Sequence, residues 1–168
     1  AGPEAGVNHV NDVKQQKWWG WGTEGKEFSF ADKPKFAPFV LERLGVDVTK
    51  AGGGAPSFAS LDVPPSQLTD ALRDKLVAAV GEKHIKTDAE ARVVHGFGRG
   101  VRDLVRIRRN DLGRLPDVVV YPGSEEDVVA IVDACVEAEA VLIPYGGGSN
   151  IVGALEALPG ETRQVVSI

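Results

Sequence analysis

Gly146, Gly147 and Gly148, followed at once by Ser149 and Asn150, are the residues whose types and spacing most directly suggest chemistry. Residues without β-carbons let main-chain N–H groups approach a ligand closely, and several such groups turned into one concavity make a nest for an anion. Ser149 and Asn150 add a hydroxyl and a carboxamide that can donate to phosphate oxygens, and Pro144 stiffens the entrance. A diphosphate suits such a loop. The triplet also follows a strand-like apolar run, Ala140–Ile143, whereas a second triplet, Gly52–Gly54 in KAGGGAPS, follows none and reads as linker. A Rossmann or P-loop site needs its glycines to open a helix, and here IVGALEALPGE follows, broken by Gly153, Pro159 and Gly160, with no lysine in the loop. Spacing alone leaves two readings, a phosphate cradle or a plain turn.

Other groups that could do chemistry are scattered. His95 stands in RVVHGFG without a carboxylate or nucleophile partner in sight, so it reads as a structural residue hydrogen-bonding a loop, and His84 and His9 have less support still. No grouping of histidines, acids and thiols suggests a metal site, and the single Cys135 excludes a disulfide framework within one chain. GFGRG mimics a dinucleotide fingerprint, but no strand precedes it and the third glycine of that pattern is missing. Arg99, Arg102, Arg106 and Arg109 fall at helical spacing as a basic stripe, with Val101, Leu104 and Val105 facing inward. The stripe is read either as a solvated face or as a dock for an anionic surface.

The elements that must position the glycine loop are legible on either side of it. Val118–Tyr121 is a β-branched run closed by Pro122 and Gly123. Ser124 with Asp127 reads as an N-cap with a capping-box partner, opening a helix whose apolar face is Val128, Val129, Ile131, Val132, Cys135 and Val136. Ala140–Ile143 is then a second strand. Two strands joined by such a helix are expected to be parallel with a right-handed crossover, which puts the loop at the carboxyl edge of the sheet, where ligands bind in these units. Upstream, Leu68, Leu72, Leu76 and Val80 recur as an amphipathic helix stopped by Gly81; shorter helices are expected over 88–94 and 99–109 and through Leu44.

A net charge of −5 argues against nucleic acid as a partner. No apolar run approaches the roughly 20 residues that cross a bilayer, and the lone cysteine fits a reducing, cytoplasmic setting. Trp18, Trp19 and Trp21, in an otherwise irregular stretch, are read as packing anchors or, beside Lys14, Lys17 and Lys26, as a membrane-interface belt. The final RQVVSI is an apolar β-type run with no turn after it, so Ile168 is expected to be a cut end with a continuation or pairing partner.

The stretch PDVVVYPGSEEDVVAIVDACVEAEAVLIPYGGGSN resembles the opening of the flavin-binding domain of vanillyl-alcohol-oxidase (PCMH) type flavoproteins, where a strand–helix–strand unit delivers a glycine-rich loop to the FAD diphosphate. Together, KWWGWG, VPPSQL, ARVVHGFGRGVRDLVRIRRNDLGRLPD and IPYGGGSN resemble the alkyldihydroxyacetonephosphate synthase family of that superfamily. The resemblance implies an α+β fold, with a helical and irregular region over 1–115 and the first βαβ part of the FAD domain over 116–168. It implies Pro144, Tyr145, Gly146, Gly147, Gly148, Ser149 and Asn150 as the FAD-binding residues, Ser149 and Asn150 standing where the family more often has threonine and serine. The loop lacks the histidine that tethers FAD covalently in relatives, so noncovalent FAD is implied. The implied reaction replaces the acyl chain of acyl-dihydroxyacetone phosphate by a long-chain fatty alcohol through a flavin N5 adduct without net redox change, in a homodimer with peripheral membrane contact. Catalytic residues are expected beyond Ile168, as are segments enclosing the flavin, so these residues alone are expected to retain FAD poorly. The alternatives are an FAD-dependent 2-hydroxyacid dehydrogenase and a noncatalytic lipid-surface or interaction fragment.

Overall fold

A computed structural model describes residues 16–25, 29–50 and 56–168. His9, Lys14, Lys26 and the triplet Gly52–Gly54 lie outside the described residues. The elements run α1 (Phe36–Leu44), α2 (Asp70–Val80), β1 (Ile85–Lys86), α3 (Ala89–His95), α4 (Val101–Arg108), β2 (Val118–Val120), α5 (Glu125–Glu137), β3 (Val141–Ile143) and β4 (Val165–Ser167). The chain is thus a mixed α+β structure around one small sheet.

The helices begin where local chemistry caps them. Thr69 Oγ1 accepts from Leu72 N–H at α2, Asp88 Oδ1 from Ala91 N–H at α3, and Ser124 Oγ from Asp127 N–H at α5. Each satisfies an amide that the first helical turn leaves without an intrahelical partner. Asp127 does not complete the expected capping box, because its carboxylate accepts from Gly123 N–H instead. Gly81, at φ 83°, ends α2 as expected.

The sheet order is β1-β2-β4-β3. β2 and β3 are not neighbours: the last apolar run inserts between them as β4, parallel to both, with Val118 opposite Val166 and Ile143 opposite Ser167. The expected parallel arrangement therefore holds through a third strand, and RQVVSI finds its partners on both sides within this chain. β1, too short to read from the sequence, adds an antiparallel edge on β2.

The two faces of the sheet bury different things. Val118, Val120 and Val166 meet Leu72 and Leu76 of α2 and Ile131, Ala134 and Cys135 of α5. The expected apolar face of α5 is corrected here: Val128, Val129, Val132 and Val136 are exposed, the last at 70%, because α2 and the sheet occupy only the stripe through Ile131 and Cys135. On the opposite face Ile143 and Val165 pack with Leu155, and α3 lies over β2. Beyond α3, Val93, Val94, Phe97, Ile107, Leu112 and Leu115 form a second cluster with Trp18, whose ring meets Phe58 edge-on at 5.2 Å. Trp18 is accordingly a packing anchor. Trp19 is half-buried, with the Arg108 guanidinium 5.3 Å from its ring centre, and Trp21 stays 50% exposed.

Candidate functional site

The glycine loop leaves β3 at the carboxyl ends of the parallel strands. Its start is tied to the sheet, since Tyr145 N–H donates to Ile168 O at 2.7 Å and Ile168 N–H to Ile143 O at 3.0 Å. Its end is tied to the segment between α3 and α4, where Arg99 N–H donates to Asn150 O at 2.8 Å. Asn150 also turns its side chain inward, its Oδ1 accepting from Val152 N–H and Ala154 N–H. That carboxamide holds the turn after the loop, leaving its NH2 group for a ligand.

Between these anchors the main chain is open. Among the described residues, the amides of Gly146, Gly147, Gly148, Ser149 and Asn150 donate no hydrogen bond. Gly146, Gly147, Gly148, Ser149, Asn150 and Leu155 wall a depression of about 290 Å³. A β-carbon added to Gly146 or Gly147 would meet nothing within 4 Å, so nothing in the protein requires glycine there. Gly148 differs: its φ is 69°, and the Tyr145 hydroxyl occupies the space a side chain would need. Of the sequence-implied residues, the structure brings 146–150 together around one concavity. Pro144 stays exposed at its entrance, and Tyr145 turns its ring beneath the loop. Consecutive open amides, with Gly146 and Gly147 lacking side chains for no internal contact, fit the diphosphate of a dinucleotide cofactor.

The support beneath the loop was not visible in the sequence. Gly98 is pressed against the Asn150 carbonyl so closely that a side chain would collide with it, so GFGRG is the bed on which the loop rests. Behind it, His95 Nδ1–H donates to Ala91 O at 2.8 Å, which leaves Nε2 to accept from the Tyr121 hydroxyl at 3.3 Å. The imidazole also leans on the Tyr145 ring, centre to centre 4.2 Å. Burial, with Arg99 nearby, pushes the His95 pKa down to about 4 against the opposing effect of its Ala91 bond and Asp88. His95 thus joins Tyr121 and Tyr145 under the loop as a neutral structural residue. A depressed histidine pKa contributes stability that is complete above the unfolded value of 6.5 and lost as pH falls towards 4. Acidification from pH 7 to 4.5 is expected to cost on the order of 3 kcal/mol through this group; urea denaturation at the two pH values should show it, and His95→Gln should remove most of the difference.

The arginine stripe does not survive as a continuous face. α4 begins only at Val101, and Arg106 is held by Glu156 and Asp111 and lies 5.4 Å from the Phe97 ring centre. Val101 and Val105 point outward, Val101 at 67% exposure, while Asp103, Leu104 and Ile107 face in. The reason is the start of the helix: Asp103 turns back to accept from Gly100 N–H at 3.0 Å and rotates its own side of α4 inward.

Among the described residues there is no grouping of three or more potential metal ligands, and no helix is long and apolar enough to cross a membrane. The loop and parallel strands resemble those of FAD-binding flavoproteins, and residues 116–166 match the family described as FAD binding domain. Over most of its length the chain is similar to alkyldihydroxyacetonephosphate synthases. It is 32% identical over 183 residues to the alkyldihydroxyacetonephosphate synthase of Dictyostelium discoideum, covering 95% of this chain and 30% of that protein. It is 31% identical over 167 residues to that of Trypanosoma brucei brucei, covering 89% of this chain and 27% of the relative. A solved alkyldihydroxyacetonephosphate synthase superposes with a TM-score of 0.79 at 30% identity, over 95% of this chain and 33% of the other. The chain therefore spans about a third of the length of the proteins it matches.

Proposed function

We propose that this chain carries the diphosphate-binding loop for noncovalently bound FAD in an enzyme that exchanges the acyl group of acyl-dihydroxyacetone phosphate for a long-chain alcohol. The observation that carries the reading is the run of five open amides, 146–150, at the carboxyl edge of three parallel strands. Gly146, Gly147, Gly148 and Ser149 would hold the diphosphate through their amides, with the Ser149 hydroxyl and the Asn150 NH2 group as side-chain donors. Bound FAD would supply the reactive ring on which the exchange depends; the protein's part is position and electrostatics. Tyr145 and Gly98 hold the loop from beneath, so the amides are preorganised rather than ordered by the ligand.

Two-dimensional amide NMR of the labelled chain tests the cofactor reading. FAD and ADP at millimolar concentration are expected to move the resonances of 146–150, whereas riboflavin, which has no phosphate, should leave them in place. Equal responses to riboflavin and ADP, or shifts confined to other residues, would sink it. The reaction itself is tested on the complete protein by following alkyl-for-acyl exchange by mass spectrometry, with no reduction of an added electron acceptor expected.

A further inference from the structure

The segment between α3 and α4 holds a charged group that the proposed cofactor loop does not yet use. Arg99 is fixed beside the loop at both backbone ends: its N–H donates to Asn150 O, and its carbonyl accepts from Trp21 Nε1–H at 2.9 Å. Its side chain is only loosely engaged, Nη2 reaching Gln16 Oε1 at 3.3 Å, and Nη1 is buried with no hydrogen-bond partner. The Tyr145 hydroxyl, lodged against Gly148, is likewise buried and unpartnered. Burial pushes the Tyr145 pKa up, and the Arg99 guanidinium opposes it by charge and by a poorly aligned hydrogen bond, so each group has the other as an incomplete partner. Orphaned buried donors are rare in folded proteins and call for an acceptor. The two groups stand together, the phenol directly beneath Gly148, and one acceptor bound at the loop would serve both.

The loop itself has no cationic side chain from Ile143 to Leu155. Arg106, which reaches Glu156 just past it, is already neutralised by Glu156 and Asp111. Amide nests bind phosphate through partial charges, and a diphosphate brings full ones. We propose that Arg99, assisted by the Tyr145 hydroxyl, is the cationic partner of the diphosphate held by the glycine loop. This rests on the reading of the loop as a diphosphate site and assigns the charge that the loop lacks.

The test is ADP and inorganic pyrophosphate binding to the chain and to Arg99→Gln, Arg99→Lys and Tyr145→Phe, read by amide NMR and calorimetry, with adenosine as the uncharged comparison. Arg99→Gln is expected to weaken ADP and pyrophosphate by about tenfold or more and to leave the adenosine response unchanged. Arg99→Lys should recover part of the loss, and raised salt should narrow the gap between the natural chain and Arg99→Gln. If Arg99→Gln fails to fold, Arg99→Lys and Tyr145→Phe carry the test, each expected to weaken pyrophosphate more than adenosine. Unchanged pyrophosphate affinity in the variants, or equal losses of ADP and adenosine, would overturn the role of Arg99 while leaving the loop assignment standing. No response of the natural chain to pyrophosphate or ADP would overturn both.

Discussion

Asp117→Ala is expected to lower the unfolding free energy by about 3–5 kcal/mol, seen as a large fall in the urea midpoint with an unchanged m-value. Asp117 precedes β2 and is fully buried. Its Oδ1 accepts from Gln67 N–H and Arg114 Nη1, and its Oδ2 from Val165 N–H and from Arg114 Nη2 at 2.5 Å. Its backbone serves the same junction, N–H donating to Val165 O and C=O accepting from the Ser66 hydroxyl. One carboxylate therefore fastens the VPPSQL segment, the start of β2 and the start of β4. Burial works against its charge, but Arg114 and the two amides outweigh that and hold its pKa below the usual carboxylate value. Alanine would strand two amides and leave Arg114, largely buried, without its counter-charge. Lys75→Ala supplies the contrast: its ion pair with Glu137 is exposed, and its loss is expected to cost less than about 1 kcal/mol. A cost for Asp117→Ala no larger than that of Lys75→Ala would show that the junction is held by packing alone.

What the sequence disclosed and what it hid divide along the distance between partners. The capping of α2, α3 and α5 is settled within three residues by Thr69, Asp88 and Ser124, and all three helices can be read directly. The glycine loop shows for the same reason, since a β-branched run and a glycine triplet are adjacent in the chain. Asp117 and Val165 are 48 residues apart, so nothing near Asp117 signals its role. The placement of β4 between β2 and β3 is equally nonlocal, as is the contact of Gly98 with Asn150. The α5 valines mislead because periodicity gives the width of an apolar stripe, not the width of what covers it; α2 and the sheet cover only Ile131, Ala134 and Cys135. The arginine spacing misleads because Arg99 lies outside α4 and Arg106 is held by acids from other segments. GFGRG follows α3 rather than a strand, and its Gly98 carries a structural duty to the loop that no fingerprint describes.

The three loop glycines are expected to respond differently to alanine, and the difference separates what the fold needs from what a ligand needs. Gly146→Ala and Gly147→Ala add a methyl group that meets no atom of the protein, and neither glycine has a positive φ. Their stability should stay within about 0.5 kcal/mol of the natural chain, while FAD and ADP binding should fall by about tenfold or more through the lost close approach of the amides. Gly148→Ala puts a side chain at φ 69° into the space held by the Tyr145 hydroxyl. It is expected to cost about 1–3 kcal/mol of stability besides affinity, and Tyr145→Ala in the same chain should return the steric part but not the backbone part. The informative pair is Gly146 and Gly147, because their variants keep the fold and so isolate the ligand. Thermal melts read beside ADP titrations check both quantities on the same samples. If both variants bind ADP as the natural chain does, the amides at 146 and 147 face no ligand, and the open run between β3 and Asn150 is a surface turn.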